Sequence, residues 1–326
     1  MTDGTGTRFQ VQGVAGDFLG GWMDLAPFRL KPWFSERVWG RLNLKPWYEE
    51  TGTTERVGEA WLTGPECVVE TGELEGRSFK AVAKEFSAEL GGGEFPLLVK
   101  LLFPNEKLSV QVHPDDAHAQ TLGQPRGKTE CWYVLEAEPG AAVALGLKAG
   151  VTAEQFRAGV ADKSVESLLE WVPVAEGEMI FVDAGTVHAI GPGVVLLETQ
   201  QTSDTTFRLY DYGRPRELHL EQGLVAMKLK TRAGKVAPRE MDGFTRLIEE
   251  KYFTVDRFDV EAMEPMSLRM GGPGCLVGLS GTVAVITPGD EVELLPGQAV
   301  VIPKGLAEVI VEAEHGASFV RCFAPA

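Results

Sequence analysis

FPLLVKLLF at residues 95–103 is a nearly continuous apolar run that is followed directly by a proline. An uninterrupted run of this length predicts a strand that is buried on both faces. Six short segments rich in β-branched or aromatic residues come after it: LSVQVH at 108–113, ECWYVLEA at 130–137, AAVALGL at 141–147, EMIFV at 178–182, VVLLET at 194–199 and TFRLYDY at 206–212. Most of them are bounded by Gly, Pro or Asp, so the series predicts a β-sandwich or barrel.

Two stretches interrupt the rhythm of short strands. VTAEQFRAGVADKSVESLLEWV at residues 151–172 has apolar residues at helical spacing, and Thr152 stands at the N-cap position. We interpret it as a small helical insertion between two strands. A second helix is predicted at residues 218–229, LHLEQGLVAMKL, where the chain leaves the last strand of the series and leads to a second β segment.

An internal repeat indicates two related β units. EGEMIFVDAGTVH at residues 176–188 aligns without a gap on PGQAVVIPKGLAE at residues 296–308. The first copy ends in His188 and the second in Glu308, so a metal ligand at His188 would be missing from the second unit. We predict a mainly β protein with a metal-binding catalytic domain at residues 1–234, which carries the helical insertion, and a degenerate C-terminal β domain at residues 235–326.

Charge and composition exclude several classes of function. The chain of 326 residues has a formal charge of −16 and lacks a Lys/Arg-rich run, which argues against nucleic acid and anionic membranes as partners. An anionic small molecule would need a local basic pocket. The four cysteines form no C-x-x-C pair, as expected for reduced thiols without chemistry. The N-terminal MTDGTGTRFQ lacks a signal-peptide pattern and no stretch is long and apolar enough to span a membrane, so we expect a soluble cytoplasmic protein.

Polar residues at successive strand ends are the candidate chemistry. Gln111 and His113 are separated by one residue in LSVQVH, so their side chains share one face of that strand. Lys128 and Glu130 repeat the pattern at the entrance of the next strand. His188 lies in the turn after EMIFV and is followed by a predicted hairpin about Gly191-Pro192-Gly193.

Two imidazoles, a carboxylate and an amide oxygen suit zinc, and iron or manganese would also accept such ligands. Each residue taken alone has a structural explanation. His113 would be an interior histidine, Glu130 would pair with Lys128, and Gln111 would cap a backbone group. Together they favour a metal site, because unpaired buried ionisable groups are costly.

Glu198 and Arg208 stand out in ETQQTSDTTFRLYDYGR at residues 198–214. Arg208 has two interpretations. It is either an edge-strand arginine whose stem packs on the barrel, or a cation at the barrel mouth that binds a phosphate through two hydrogen bonds.

Seven stretches, in order from about residue 25 to 215, resemble the type I phosphomannose isomerases, a metal-dependent cupin family, and the tail resembles its compact bacterial members. The matching stretches are WG at 39–40, GEAW at 58–61, FPLLVKLLF, LSVQVHPDD, GKTECWYVL, AGTVHAIG and ETQQTSDTTFRLYDYGR. The resemblance implies two cupin-type jelly-roll barrels. It also implies a small-molecule sugar phosphate as substrate and one divalent metal ion, with Zn²⁺ as the expected metal.

The resemblance further implies roles for individual residues. The implied metal ligands are Gln111, His113, Glu130 and His188. The implied catalytic residues are Arg208, Lys128 and Glu198, and the implied substrate-binding residues are Trp39, Glu59, Ser109 and Arg214. Arg214 is assigned to the place of a further basic residue of the family.

The activity that the resemblance implies is interconversion of mannose 6-phosphate and fructose 6-phosphate through an enediolate. Lys128 and Glu198 are the candidates for proton transfer, and the choice of base stays open. One alternative is a non-catalytic sugar-binding or regulatory cupin, against which the full set of matched polar residues weighs. Another is a different cupin sugar-phosphate isomerase, although GEAW, GKTE and QQTSDTTFR favour the mannose enzyme.

Overall fold

The structure is a computed structural model that describes residues 25–306 and 308–325, so the N-terminal residues 1–10 discussed above lie outside it. Within those ranges the chain is mainly β. The strands of the first part are β1 (Phe28–Lys31), β2 (Trp33–Arg41), β3 (Val57–Trp61), β4 (Val68–Val69), β5 (Leu97–Leu102), β6 (Val110–Val112), β7 (Glu130–Ala137), β8 (Ala142–Leu147), β9 (Leu169–Pro173), β10 (Met179–Val182), β11 (His188–Ile190), β12 (Val194–Gln201) and β13 (Phe207–Tyr210).

The strands of the second part are β14 (Gly234–Val236), β15 (Arg239–Met241), β16 (Phe244–Glu249), β17 (Thr254–Val260), β18 (Met266–Leu268), β19 (Gly274–Ser280), β20 (Val283–Thr287), β21 (Asp290–Leu294), β22 (Ala299–Ile302), β23 (Val309–Glu312) and β24 (Ala317–Phe323). The helices are α1 (Phe79–Glu85), α2 (Ser87–Leu90), α3 (Asp116–Thr121), α4 (Ala153–Asp162) and α5 (Leu220–Ala226), with a 3₁₀ turn at Val165–Leu168. None of the described helices is long and apolar enough to span a membrane.

The strands form four sheets, which we number I to IV. Sheet I has the order β14-β10-β7-β12-β5-β3-β2, and sheet II has the order β13-β6-β11-β8-β9. Sheet III has the order β15-β16-β17-β24-β19-β22-β1-β4, and sheet IV has the order β18-β23-β20-β21. All strand pairs within these sheets are antiparallel.

The same strand order occurs twice along the chain. In sheet I, β12 lies between β5 and β7, and β10 follows β7; in sheet III, β24 lies between β17 and β19, and β22 follows β19. The order β6-β11-β8-β9 in sheet II likewise matches β18-β23-β20-β21 in sheet IV. The repeat seen in the sequence coincides with this duplication, because β10 (Met179–Val182) and β22 (Ala299–Ile302) are its two copies.

Strand pairing crosses the predicted domain boundary at residues 234/235. β1 pairs with β22 and with β4, so two strands from the N-terminal part of the chain belong to sheet III. In return, β14 at Gly234–Val236 pairs with β10 and forms the edge of sheet I. Sheet III is therefore completed at one edge by two strands from the N-terminal part of the chain, and sheet I is completed by a strand that spans the predicted boundary.

Four apolar clusters separate the layers. Sheets I and III share the largest cluster, in which Val99 and Leu197 meet Val277 and Val301. A second cluster fills the space between sheets I and II, and a third fills the space between sheets III and IV. The fourth covers the outer face of sheet II and includes Phe156 of α4. The prediction for FPLLVKLLF is confirmed, since all six residues of β5 are buried.

The helical insertion is shorter than predicted. Thr152 caps α4 with a complete capping box, as expected, but the helix ends where Lys163 adopts a left-handed conformation with φ of 68°. The rest of the predicted segment is the 3₁₀ turn and β9, which pairs with β8. The predicted C-terminal end of the helix was wrong, because Leu169 is buried in a strand. A short apolar stretch has a spacing that fits a strand as well as a helix. The second predicted helix is α5, which is also shorter than residues 218–229.

The hairpin predicted about Gly191-Pro192-Gly193 is absent from the described chain. His188 begins β11, which pairs with β6 and β8 in sheet II, whereas β12 pairs with β5 and β7 in sheet I. The turn therefore carries the chain from one sheet to the other. This crossing turns the side chains of His188 and Glu198 toward the same space between the two sheets.

Candidate active site

Strand register brings the predicted metal ligands of sheet II together. On β6, Gln111 lies directly opposite His188 of β11 on one side and opposite Arg208 of β13 on the other. In sheet I, Glu130 at the start of β7 lies between Val182 and Gln200. Because side chains alternate along a strand, Gln111, Glu130 and His188 point into the space between the sheets.

His113, Glu130 and His188 form a compact group that could hold a metal ion. One ligand atom from each lies within 4.8 Å of the others, and no other such group of three His, Cys, Asp or Glu residues occurs in the described chain. The Nε2 atoms of His113 and His188 lie 3.5 Å and 3.4 Å from the two carboxylate oxygens of Glu130. All three side chains are at most 1% exposed, so the set is enclosed by protein.

The two histidines present the nitrogen that a metal needs. The Nδ1 atom of His113 donates to the carbonyl of Thr205 at 3.0 Å, and that of His188 donates to the carbonyl of Thr186 at 2.9 Å. Each Nε2 is therefore left with its lone pair directed inward. Burial lowers the pKa of His113 well below its ordinary value, and burial lowers the pKa of His188 to about 4. Both rings are neutral at physiological pH.

Glu130 provides the observation that tests whether a cation fits. Among the described residues, none donates a hydrogen bond of good geometry to either of its buried oxygens. Lys128 approaches as an ion pair, with its Nζ 3.1 Å from Glu130 Oε2 and 3.1 Å from His113 Nε2. A buried carboxylate beside two inward-facing imidazole nitrogens is a donor set that suits a divalent metal ion.

Gln111 completes this group. Its Nε2 lies 3.2 Å from His188 Nε2, and its Oε1 accepts a hydrogen bond from Ser109 at 3.4 Å. The two ends of an amide have the same shape, so a half-turn of the side chain would bring the oxygen to the position beside His188. The amide is therefore within reach of the donor set.

A cavity of about 460 Å³ opens beside these donors. Its wall includes seven of the residues that the sequence predicts for the site: Trp39, Glu59, Ser109, Gln111, Lys128, Glu198 and Arg208. The three buried donors contact this wall through Gln111 and Lys128. The structure thus brings ten of the eleven predicted site residues to one place.

Arg214 is the exception, because it does not line the cavity. Its guanidinium binds the carbonyl of Lys107 and the carboxylates of Asp211 and Glu106. Arg216, two residues further along, does line the cavity, and it is held by two hydrogen bonds to Asp211.

Sequence reasoning missed a line of alternating charges along the cavity wall. Glu59 binds Arg37 at 2.9 Å and lies 3.6 Å from Lys100, which in turn lies 3.5 Å from Glu198. Tryptophans support both carboxylates, since Trp61 donates to Glu59 and Trp132 donates to Glu198. A signal for Lys100 was present, because it is the single charged residue in the apolar run at residues 95–103.

The carboxylates of this line titrate differently. Burial would raise the pKa of Glu59, but Lys100 and Arg37 hold that pKa at about 2. Burial and the nearby Glu130 raise the pKa of Glu198 above its ordinary value, against the opposing effect of Lys128 and Lys100. Burial would lower the pKa of Lys128, yet Glu130 and Glu198 raise it. The charged forms of Glu59 and Lys128 are therefore favoured, whereas the protonated form of Glu198 is favoured relative to an ordinary carboxyl group.

Similarity to known proteins agrees with this geometry. Residues 28–146 match the family model of the catalytic domain of type I phosphomannose isomerase. The chain is 33% identical over 309 residues to mannose-6-phosphate isomerase ManA of Bacillus subtilis strain 168, which spans 89% of this chain and 97% of that protein. The chain belongs to the type I phosphomannose isomerase family.

Other members of the phosphomannose isomerase family show the same extent of similarity. The mannose-6-phosphate isomerase of Streptococcus mutans serotype c is 33% identical over 294 residues, which cover 85% of this chain and 92% of that protein. The crystal structure of the mannose 6-phosphate isomerase from Bacillus subtilis superposes with a TM-score of 0.80 at 26% identity, covering 91% of this chain and 99% of that one. The family resemblance seen in the sequence is confirmed.

Proposed function

We propose that this protein is a metal-dependent aldose-ketose isomerase that interconverts mannose 6-phosphate and fructose 6-phosphate in the cytoplasm. The observation that carries the proposal is the buried group of His113, Glu130 and His188, which contacts Gln111 and Lys128 in the wall of a cavity that Glu198 and Arg208 also line. Membership of the phosphomannose isomerase family supports the choice of substrate.

Gln111, His113, Glu130 and His188 would hold one divalent metal ion, and we propose zinc. Two neutral imidazoles, a carboxylate and an amide oxygen are donors that zinc accepts. When bound, the ion supplies Lewis-acid stabilisation of the negative charge that develops on the sugar oxygens. The Thr205 and Thr186 carbonyls fix the ring orientation of both histidines and so keep the donors in place.

The protein must move a proton between C1 and C2 of the sugar. Glu198 is our proposed proton acceptor, because its pKa is raised toward the range in which a carboxylate can take and return a proton. Lys128 remains a cation beside it and would stabilise the enediolate. Lys100, which lies between Glu59 and Glu198, holds the carboxylate of Glu198 in position.

Cations at the cavity wall would bind the substrate phosphate and counter the negative charge of the chain. Arg208 is the proposed principal group, because its guanidinium can form two hydrogen bonds with an anion. Trp39, Glu59 and Ser109 would contact the sugar. Arg216, rather than the predicted Arg214, lies where a further cation could help, since it lines the same cavity.

The two sheet pairs suggest two cupin-type barrels. Sheets I and II would form the catalytic barrel, whereas sheets III and IV would form a second barrel without a metal. The repeated strand order supports this proposal. The catalytic and C-terminal domains would then exchange edge strands rather than separate cleanly at residue 234.

The proposal is tested with purified protein and mannose 6-phosphate, with fructose 6-phosphate as the measured product. We expect one equivalent of metal per chain, loss of turnover after chelation, and recovery with Zn²⁺. His113→Ala should remove the metal, whereas His315→Ala, at an exposed position, should leave it bound. Full turnover by metal-free protein, or no turnover by the metal-loaded protein, would contradict the proposal.

A further inference from the structure

Arg208 lies on an edge strand, where half of the backbone groups lack a neighbouring strand. β13 is the outermost strand of sheet II and pairs on one side only, with β6. An edge strand presents unpaired N–H and C=O groups on its open side. The position of Arg208 is therefore not determined by the sheet alone.

His219 satisfies both backbone groups of Arg208 on that open side. The N–H of Arg208 donates to Nδ1 of the His219 ring at 3.2 Å, and the N–H of His219 donates to the carbonyl of Arg208 at 2.7 Å. His219 thus provides the two hydrogen bonds that a neighbouring strand would provide, and its ring nitrogen accepts where a backbone carbonyl would accept. Because Nδ1 accepts, the ring proton is on Nε2 in this arrangement.

The same segment also holds the guanidinium of Arg208. The carbonyl of Glu217 accepts a hydrogen bond from Nη1 of Arg208 at 2.9 Å. The buried Nε of Arg208 has no partner among the described residues. Apart from the pairing of β13 with β6, the hydrogen bonds with Glu217 and His219 therefore restrain where this cation lies.

The position of His219 is itself well determined. It is the N-cap residue of α5, and its carbonyl accepts from the N–H of Gly223 at 2.8 Å. Gly223 allows α5 to lie against β13, since a Cβ there would come within 2.1 Å of a Leu209 methyl carbon. The ring of His219 also packs edge-on against Phe207, with a centroid distance of 6.4 Å.

We infer that His219 is a positioning residue for Arg208: its ring nitrogen and backbone N–H fix the backbone of Arg208 and so aim the guanidinium into the cavity. This inference rests on the proposed function, in which Arg208 acts on the substrate. It gives a role to a histidine that lies outside the metal donors and does not line the cavity.

Replacement of the ring should lower turnover without removing the metal. His219→Ala leaves the N–H of Arg208 without its acceptor, and we expect kcat to fall roughly tenfold, the scale of one lost hydrogen bond. His219→Asn should restore most of the turnover, because Oδ1 of asparagine occupies the position of Nδ1. His219→Gln should not, because its amide reaches the position of Nε2 instead.

His118→Ala is the matched control. His118 packs on the same Phe207 ring, at a centroid distance of 5.9 Å, but forms no hydrogen bond with Arg208. We expect its kcat and KM to match those of the parent protein. Metal content and the thermal midpoint are measured for every variant, so that the Asn and Gln variants can be compared at equal folding and loading.

A double-mutant cycle distinguishes positioning from a separate effect on the fold. If His219 acts through Arg208, then His219→Ala should cause little further loss of kcat in an Arg208→Ala background. Equal kcat in the Asn and Gln variants, or losses that multiply in the double variant, would overturn the inference. Absence of isomerase activity in the parent protein would instead overturn the proposed function.

Discussion

The two halves of the duplicated strand order place an ion pair at the same cross-strand position, but with the charges exchanged. In sheet I, Lys100 of β5 lies opposite Glu198 of β12. In sheet III, Asp256 of β17 lies opposite Arg321 of β24. The first pair lines a cavity, whereas the second is enclosed by the rings of Phe244, Phe258 and Phe323 about the Arg321 guanidinium.

In the second half, different residues occupy the positions that correspond to Glu130 and His188. Glu130 lies opposite Val182, and the corresponding position opposite Ile302 is Gly274. A Cβ at Gly274 would lie 2.7 Å from Cβ of Phe323, the counterpart of Gln200. Glu308, which aligns with His188, is exposed. The same strand pairing thus supports a polar cavity in one half and a packed core in the other, so inward-facing side chains decide where chemistry can occur.

The comparison predicts the largest effect at His188, where the second half has Glu308. His188→Ala should abolish metal retention and activity, because one of three enclosed donors is lost. Glu308→Ala, at the aligned position of the second half, should preserve both. Metal analysis after gel filtration and an isomerase assay check the pair, and a His188→Ala protein that keeps a full equivalent of metal would remove His188 from the donor set. Metal bound by residues of sheets III and IV would contradict the conclusion that only the first half has a metal site.

Arg208→Ala should lower turnover by about 10² or more while metal content and folding stay near those of the parent, the scale expected when a positioned charge is lost. Lysine should rescue only in part, because an ammonium cannot form the planar two-point contact. Steady-state kinetics with circular dichroism check this prediction. Unfolding of the Arg208→Ala variant would favour the interpretation of Arg208 as a packed edge-strand residue.

Arg321, which forms the ion pair of the second half, should affect stability rather than turnover. Arg321→Met leaves the fully buried Asp256 with Arg246 as its remaining ion-pair partner among the described residues. We expect the free energy of unfolding to fall by about 3 kcal/mol, the scale for one broken partner of a buried pair. Metal content and kcat per folded molecule should not change. Urea denaturation followed by tryptophan fluorescence measures the effect, and a loss of turnover without a loss of stability would contradict it.

Replacement of Glu59 should change the pH dependence of stability, and only at acid pH. It lies between Arg37 and Lys100 as Asp256 lies between Arg246 and Arg321. Its pKa of about 2 is below the value of an unfolded chain, roughly 4.3. The ion pairs therefore stabilise the protein above that unfolded value, and this stabilisation is lost as the pH falls toward 2. Glu59→Gln should flatten this part of the pH dependence by about 3 kcal/mol. Parallel stability curves for the two proteins between pH 5 and pH 2 would refute the assignment.

The strands, and the polar residues that meet at their ends, could be predicted because their signals are local. Burial of all of β5 follows from an unbroken apolar run, and the shared face of Gln111 and His113 follows from strand alternation. Lys100 was missed because a single lysine in an apolar run shows neither its partners nor its environment. Its two carboxylate neighbours come from β3 and β12, which are distant in the sequence.

Contacts between distant segments also determine the path of the turn after β11 and which arginine lines the cavity. The turn at Gly191-Pro192-Gly193 has the residues of a hairpin, but the strands on either side find better partners in separate sheets. Arg214 and Arg216 are two residues apart, and the buried carboxylate of Asp211 binds both. Which of the two reaches the cavity depends on the path of the turn, which spacing along the chain does not reveal.

The exchange of edge strands has a consequence for how the chain folds. Leu30 of β1 lies opposite Val69 of β4 on one side and opposite Ala299 of β22 on the other, so β1 can join the rest of sheet III only after residue 299 has been synthesised. Contacts between such distant residues are slow to form, because the intervening chain must be ordered first. Until then Phe28 and Leu30, and the side of sheet I that packs on sheet III, lack the cover that they have in the complete structure. A ribosome that stalls before residue 299 would therefore release an aggregation-prone chain rather than a folded catalytic half.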